Sequence, residues 1–152
     1  MAKTYAQIYM HFIFAVSKRE NVIDNSWKDE LYKYITGIVE NRHQHLMAIG
    51  GRYDHVHMLV SMTPSMSCSD LMAEVKRSSS KWINDKGFVV GKFSWQEGFG
   101  AFSYAKSQIQ NVIQYIRNQD EHHRIRTFRE EYIVFLKQFC VDYDEKYIFY
   151  EI

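Results

Sequence analysis

His55-Val56-His57-Met58-Leu59-Val60-Ser61-Met62 alternates without a break. Val56, Met58, Val60 and Met62 fall on one side of an extended chain, and His55, His57, Leu59 and Ser61 on the other. Period two marks a β-strand, and the unbroken apolar side is the one that packs on a core. Leu46–Ile49 reads as a short strand just upstream. Gly50-Gly51 and Arg52-Tyr53-Asp54 read as the turn between them, so the pair forms a hairpin. Residues 5–16 alternate in the same way. Ala6, Ile8, Met10, Phe12, Phe14 and Val16 share one face; Tyr5, Gln7, Tyr9 and His11 share the other, ahead of Ile13 and Ala15.

Between these strands the period changes. Trp27, Leu31, Tyr34, Ile35, Ile38 and Val39 recur at three and four, which predicts an amphipathic helix over 26–42 with Asn25 or Ser26 as N-cap. After Pro64, Ser67 and Asp70 have capping-box spacing and open a helix through Leu71, Val75 and Trp82 that Gly87 stops. A strand is expected near 99–104. Ser107 is placed to cap a helix carrying Ile109, Val112, Ile113 and Ile116, and Thr127 with Glu130 opens a last helix bearing Phe128, Tyr132, Phe135, Leu136 and Phe139. The tail 141–152 is aromatic.

The order β-α-β-β-α-β followed by two helices predicts an α+β fold, a ferredoxin-like antiparallel sandwich with C-terminal helices. One domain spans 1–152: a core over 1–104 and a helical appendage over 105–152. The first and third strands should be central, with both core helices on one face. The face bearing Tyr9, His11, His55 and His57 is then expected to be uncovered.

The chain has 152 residues, 46% of them hydrophobic, and 19 Lys+Arg against 18 Asp+Glu for a formal charge of +1. That balance argues against an indiscriminate DNA coat and against an acidic tail protein. The N-terminus lacks a signal-peptide pattern, no apolar run is long enough to span a bilayer, and the two cysteines lack CxxC spacing. The reading is a cytoplasmic protein with no membrane partner. Aromatic residues make up 16% of the chain, including 11 tyrosines.

His55 and His57 are two apart on a strand, so both rings leave one face and can converge on a metal. Tyr115 and Gln119 are four apart and share one side of the third helix, in a polar line with Asn111. Two neutral imidazoles and a carboxamide oxygen suit Mg²⁺, Mn²⁺ or a similar divalent ion. Such an ion polarises and orients a phosphodiester. A phenol attacks phosphate only when the electrophile is activated and held in line.

These residues resemble the single-tyrosine HUH transposases of the short insertion-sequence (IS200-like) type. The matching stretches are Tyr53-Asp54-His55-Val56-His57-Met58-Leu59-Val60, Ser69 through Ile83, Trp95 through Ser103, and Tyr115-Ile116-Arg117-Asn118-Gln119-Asp120-Glu121-His122-His123. The resemblance runs over about residues 5–140, with Phe99 standing where relatives often have tyrosine. It implies His55, His57 and Gln119 as ligands of Mg²⁺ or Mn²⁺ and Tyr115 as nucleophile. It further implies cleavage and rejoining of single-stranded DNA at insertion-sequence ends through a 5′-phosphotyrosine, recognition of DNA hairpins, and a homodimer whose tyrosine helix acts in trans. Lys76, Arg77, Lys81 and Arg117 are candidate phosphate contacts, with Arg124, Arg126 and Arg129 beyond them. His11 should lie on the histidine face, packing in the sheet or supporting the site. Two other readings share the fold: a domesticated, repeat-associated HUH nickase, and a non-catalytic ferredoxin-like module that binds nucleic acid.

Overall fold

Four strands form one antiparallel sheet: β1 (Ile8–Ala15), β2 (His45–Arg52), β3 (His55–Met62) and β4 (Gly100–Ser103). Their order is β2-β3-β1-β4, so the two strands with the cleanest alternation are central, as expected. Met10 pairs with Val60 and Phe12 with Met58, which keeps the apolar sides in register. Two helices, α1 (Asn25–Asn41) and α2 (Cys68–Lys86), pack on that side. Phe12, Phe14, Val56, Met58 and Val60 meet Leu31, Ile35, Val39, Leu71, Val75 and Ile83, all with no exposed surface. Each such side chain contributes about 1.5–3 kcal/mol on leaving water. The computed structural model describes residues 3–119 and 127–144. His122, His123, Arg124, Arg126 and the tail from 145 onward lie outside the described residues.

Local start signals hold, with two shifts. Asp24, not Asn25 or Ser26, caps α1: its carboxylate accepts from the Ser26 N–H at 2.8 Å. An ionised cap at the positive end of the helix dipole outcompetes a neutral one. Ser67 caps α2 by accepting from the Asp70 N–H, and Gly87, at φ 67°, closes it. A 3₁₀ turn at Lys106–Gln108 precedes α3 (Ile109–Arg117). The Gln108 side chain accepts from the Ala105 N–H there, so Ser107 is not the cap. Thr127 opens α4 (Phe128–Gln138) as its capping box predicts.

The histidine face is not open. α3 lays Ile109, Val112, Ile113 and Ile116 over Ala48 and Leu59. α4 lays Phe128, Tyr132, Phe135 and Leu136 over Ile13, Ala15 and Phe102. His11, His55 and His57 have no exposed surface. The cause is legible in the strands: Ile13, Ala15 and Leu59 make the second face apolar at its centre, and two amphipathic helices had nowhere else to bury their stripes.

Gly50 and Gly51 are strand residues, not a turn; Arg52 pairs directly with His55, leaving Tyr53-Asp54 as the connection. Their size, not their flexibility, is what counts. A Cβ on Gly50 would sit 2.3 Å from the Ile116 carbonyl oxygen, and one on Gly51 would sit 2.2 Å from that of His55. The main chain of α3 therefore rests on Gly50, which sets the height of Tyr115 and Gln119 above the histidines. Gly50→Ala is expected to lower stability by about 1–3 kcal/mol, as overpacking does. A urea melt checks it; an unchanged midpoint would show that α3 does not bear on this glycine.

Candidate functional site

Strand β3 aims His55 and His57 at the underside of α3 and α4. The Nδ1 atoms of both rings are held from behind. His55 Nδ1 is 2.7 Å from Asp54 Oδ1, and His57 Nδ1 is 2.8 Å from His11 Nε2 on β1. Phe128 stacks on His55, with centroids 3.9 Å apart and planes 9° from parallel. Both Nε2 atoms thus point into one space. Gln119 Oε1 lies 3.1 Å from His55 Nε2, and its amide donates to the Tyr115 carbonyl at 3.3 Å.

The residue that closes this space is Glu131 of α4. Its Oε1 is 3.1 Å from His57 Nε2 and 3.9 Å from His55 Nε2. Its Oε2 accepts from the Tyr115 hydroxyl and, at 3.5 Å, from the Gln119 amide. Glu131 is 2% exposed. Sequence reasoning missed it, although a signal was present: it sits within the Phe128, Tyr132, Phe135 stripe at helical spacing, where an unpaired charge is costly. Asp54 was also missed as a functional side chain. His11 takes the supporting position, buried beside Phe102, Tyr104 and Phe135.

Burial pushes the His55 imidazole down to about 4, the Asp54 bond opposing, and holds His11 well below its ordinary value. His55 is therefore neutral near pH 7 and carries one proton. That proton belongs on Nδ1, facing the Asp54 carboxylate. Nε2 then presents a lone pair to the Gln119 oxygen, two acceptors at 3.1 Å. A cation resolves such a pairing. His55, His57 and Glu131 have ligand atoms within 4.8 Å of one another, so this cluster could hold a metal ion. The 3.1 Å separations match the edge of an octahedron with bonds of about 2.1 Å, roughly 3 Å. The backing of each Nδ1 is the support that metal-binding histidines need.

Tyr115 sits on α3 at the floor of a cleft of about 250 Å³ between α3 and α4, whose rim carries Gln108, Asn111 and Gln138. The cleft gives the phenol a route to solvent that the histidines lack. Burial pushes two neighbouring phenols, Tyr104 and Tyr132, up to about 12. Such phenols ionise less readily than an ordinary one and are poorer nucleophiles.

The proposed phosphate contacts divide. Lys76, Arg77 and Lys81 lie on α2, across the sheet from the histidines. Lys76 donates to the carbonyls of Gln96, at 2.8 Å, and Gly98. Burial lowers it to about 8, with Glu97 acting the other way. Arg77 pairs with Glu74, and Lys81 with Asp85 at 2.6 Å. Arg117 is exposed on α3, two residues before Gln119.

Residues 4–119 match the family model described as "Transposase IS200 like", and the chain belongs to that family. No curated protein matches it. A crystal structure of a Deinococcus radiodurans R1 protein assigned as a transposase is similar at a TM-score of 0.61 and 22% identity, over 78% of this chain and 98% of that one. A REP-associated tyrosine transposase bound to a REP hairpin is similar at a TM-score of 0.56 and 15% identity, over 76% and 68%. Both share the α+β fold. Among the described residues, no helix is long and apolar enough to cross a membrane.

Burial of His55 and His11 makes stability depend on pH. With the folded value of His55 near 4 and the free value near 6.5, the unfolded chain takes up its proton first as pH falls. Stability is full above about pH 6.5 and is lost toward pH 4, at up to about 1.4 kcal/mol per pH unit for each such histidine. The urea midpoint is expected to be lower at pH 5 than at pH 7.5, and an unchanged midpoint contradicts neutral burial.

Proposed function

We propose that this IS200-like transposase cleaves and rejoins single-stranded DNA through a covalent bond between Tyr115 and a 5′-phosphate. The observation that carries the reading is the placement of the Tyr115 hydroxyl and the two Nε2 atoms around one buried carboxylate. A nucleophile and a metal-ligand set brought that close can act on one phosphodiester.

His55, His57 and Gln119 would hold Mg²⁺ or Mn²⁺, with Glu131 beside them. Bound there, the ion supplies Lewis-acid polarisation and orientation of the scissile phosphate. The chain's own residues do the rest. Asp54 and His11 fix the imidazole rings. Gly50 lets α3 lie close enough for Tyr115 to reach the same phosphate. The α3–α4 cleft admits the strand, and Arg117 stands nearby for a neighbouring phosphate. Attack by Tyr115 releases a 3′-hydroxyl and stores the bond as a phosphotyrosine, so a later 3′-hydroxyl can reseal without ATP.

Hairpins at element ends are the proposed DNA partner. Family membership supports this, as does the likeness in fold to a protein bound to a REP hairpin. The same likeness favours, as a second reading, a repeat-associated nickase with identical chemistry. As for subunits, Tyr115 and Gln119 meet the histidines of their own chain, as a site acting in cis requires; a homodimer exchanging tyrosine helices would set the same residues against its partner's histidines.

Incubated with single-stranded DNA from such ends and Mn²⁺, the protein is expected to give an adduct on a denaturing gel. Tyr115→Phe, His57→Ala or a chelator should abolish it. An adduct that survives Tyr115→Phe overturns the assignment.

Mixing Tyr115→Phe with His57→Ala protein separates cis from trans. Cis action predicts no cleavage by the mixture, whereas recovery would show that helices are exchanged between chains.

A further inference from the structure

Glu131 has more to do than complete a ligand set. Its two oxygens are divided between two kinds of partner. Oε1 faces the imidazoles, at 3.1 Å from His57 Nε2, and Oε2 accepts the Tyr115 hydroxyl proton. A carboxylate needed only to anchor α4 would not sit inside an apolar stripe at 2% exposure. One needed only as a metal ligand would not have to touch the phenol.

We propose that Glu131 is the general base that takes the proton of Tyr115 during cleavage and the acid that returns it during rejoining. This rests on the reading of Tyr115 as nucleophile. In the forward step the Tyr115 oxygen–phosphorus bond forms while the bond from phosphorus to the 3′ oxygen breaks. The phenolic proton passes to Glu131 Oε2. The leaving 3′ oxygen keeps the electron pair of the broken bond and takes a proton from solvent. In the reverse step a 3′-hydroxyl attacks the phosphotyrosine and gives its proton to solvent. The phosphorus–tyrosine bond breaks, and Glu131 returns its proton to the phenolate oxygen. Protons and electrons balance in both directions with no further reactant.

The chemistry calls for such a group. A phenol of ordinary pKa, about 10, is almost wholly protonated at neutral pH. A positioned base contributes roughly 10²–10⁴-fold to such a step. The geometry is that of direct transfer, since the acceptor oxygen is already hydrogen-bonded to the proton it would take. Thr127 and the Phe128, Tyr132, Phe135 stripe hold Glu131 there by fixing where α4 starts and which side it buries.

The test is single-turnover adduct formation on single-stranded DNA in Mn²⁺, comparing Glu131→Gln with the unaltered chain. The amide keeps the shape and an acceptor oxygen but is a far weaker base. A loss of roughly 10²–10⁴-fold is expected. Replacing Tyr115 with 3,5-difluorotyrosine, a more acidic phenol, should shrink that loss at least tenfold, and Glu131→Asp should retain more activity than Glu131→Gln. Mn²⁺ affinity measured by calorimetry in the Tyr115→Phe background should change far less than the rate. An equal loss with both phenols, or a loss matched by that in Mn²⁺ affinity, overturns the assignment. Should Glu131→Gln fail to fold, the unaltered chain decides: adduct formation should slow in D₂O, less so with the fluorinated phenol. Absence of any solvent isotope effect counts against a base. Failure of the unaltered chain to form an adduct would instead sink the transposase chemistry itself.

Discussion

A carboxylate buried against two imidazoles governs how the second layer of this protein can sit. Removing a charge from water costs several kcal/mol unless other groups replace the lost solvation. Here the carboxylate belongs to α4 and the replacements come from two other elements: His57 from β3, and Tyr115 and Gln119 from α3 and its end. Displacing any one of these removes a hydrogen bond to the buried carboxylate. The apolar stripes of α3 and α4 supply most of the energy of docking, but they are tolerant of small slides. The polar cluster is not, because hydrogen bonds weaken steeply with distance and angle. It converts a loose apolar fit into one register.

On the proposed reading, that register is also what would make a weak nucleophile usable. Tyr115 sits in the last turns of a nine-residue helix, too short to be rigid alone. Gly50 lets its main chain rest on β2, and Ile116 is fully buried beside it. The phenol is thus held from below by the sheet and from the side by α4, while the cleft leaves one approach free. Positioning of this kind replaces the entropy that a free phenol and a free phosphate would lose on meeting.

Much of this was readable from the chain, and the limits are physical. Alternation in β1 and β3 fixed the sheet centre, because one side of each strand is unbrokenly apolar. HxH spacing placed both rings on one face for the same reason. The covering of the second face is signalled in the strands only by Ile13, Ala15 and Leu59, which share it with the histidines. A glycine pair signals a turn locally, whereas the demand at Gly50 comes from a helix some 65 residues later in the chain and that at Gly51 from the neighbouring strand. Glu131 could have been found by asking which position in the last helical stripe was charged. His11 and Asp54 could not be ranked, since their roles depend on which nitrogen of a neighbouring ring they face. Such pairings are set by tertiary distances that no spacing encodes.

The distribution of cations follows from the same layering. α2 carries Lys76, Arg77 and Lys81, yet its partners are loop carbonyls and acidic neighbours, and the sheet stands between it and the histidines. On the proposed reading, a strand of DNA reaching Tyr115 would come in over α3 and α4, where Arg117 is exposed and the cleft is lined by the uncharged amides of Gln108, Asn111 and Gln138. Uncharged amides attract phosphate more weakly than cations do. The buried site behaves differently. A divalent ion takes its ligands deprotonated, so its binding there would be linked to proton release. The near-neutral charge of the chain is therefore consistent with a nucleic-acid enzyme. Long-range attraction is modest, and the distinguishing feature is a short-range arrangement in which one carboxylate touches both an imidazole and the Tyr115 hydroxyl.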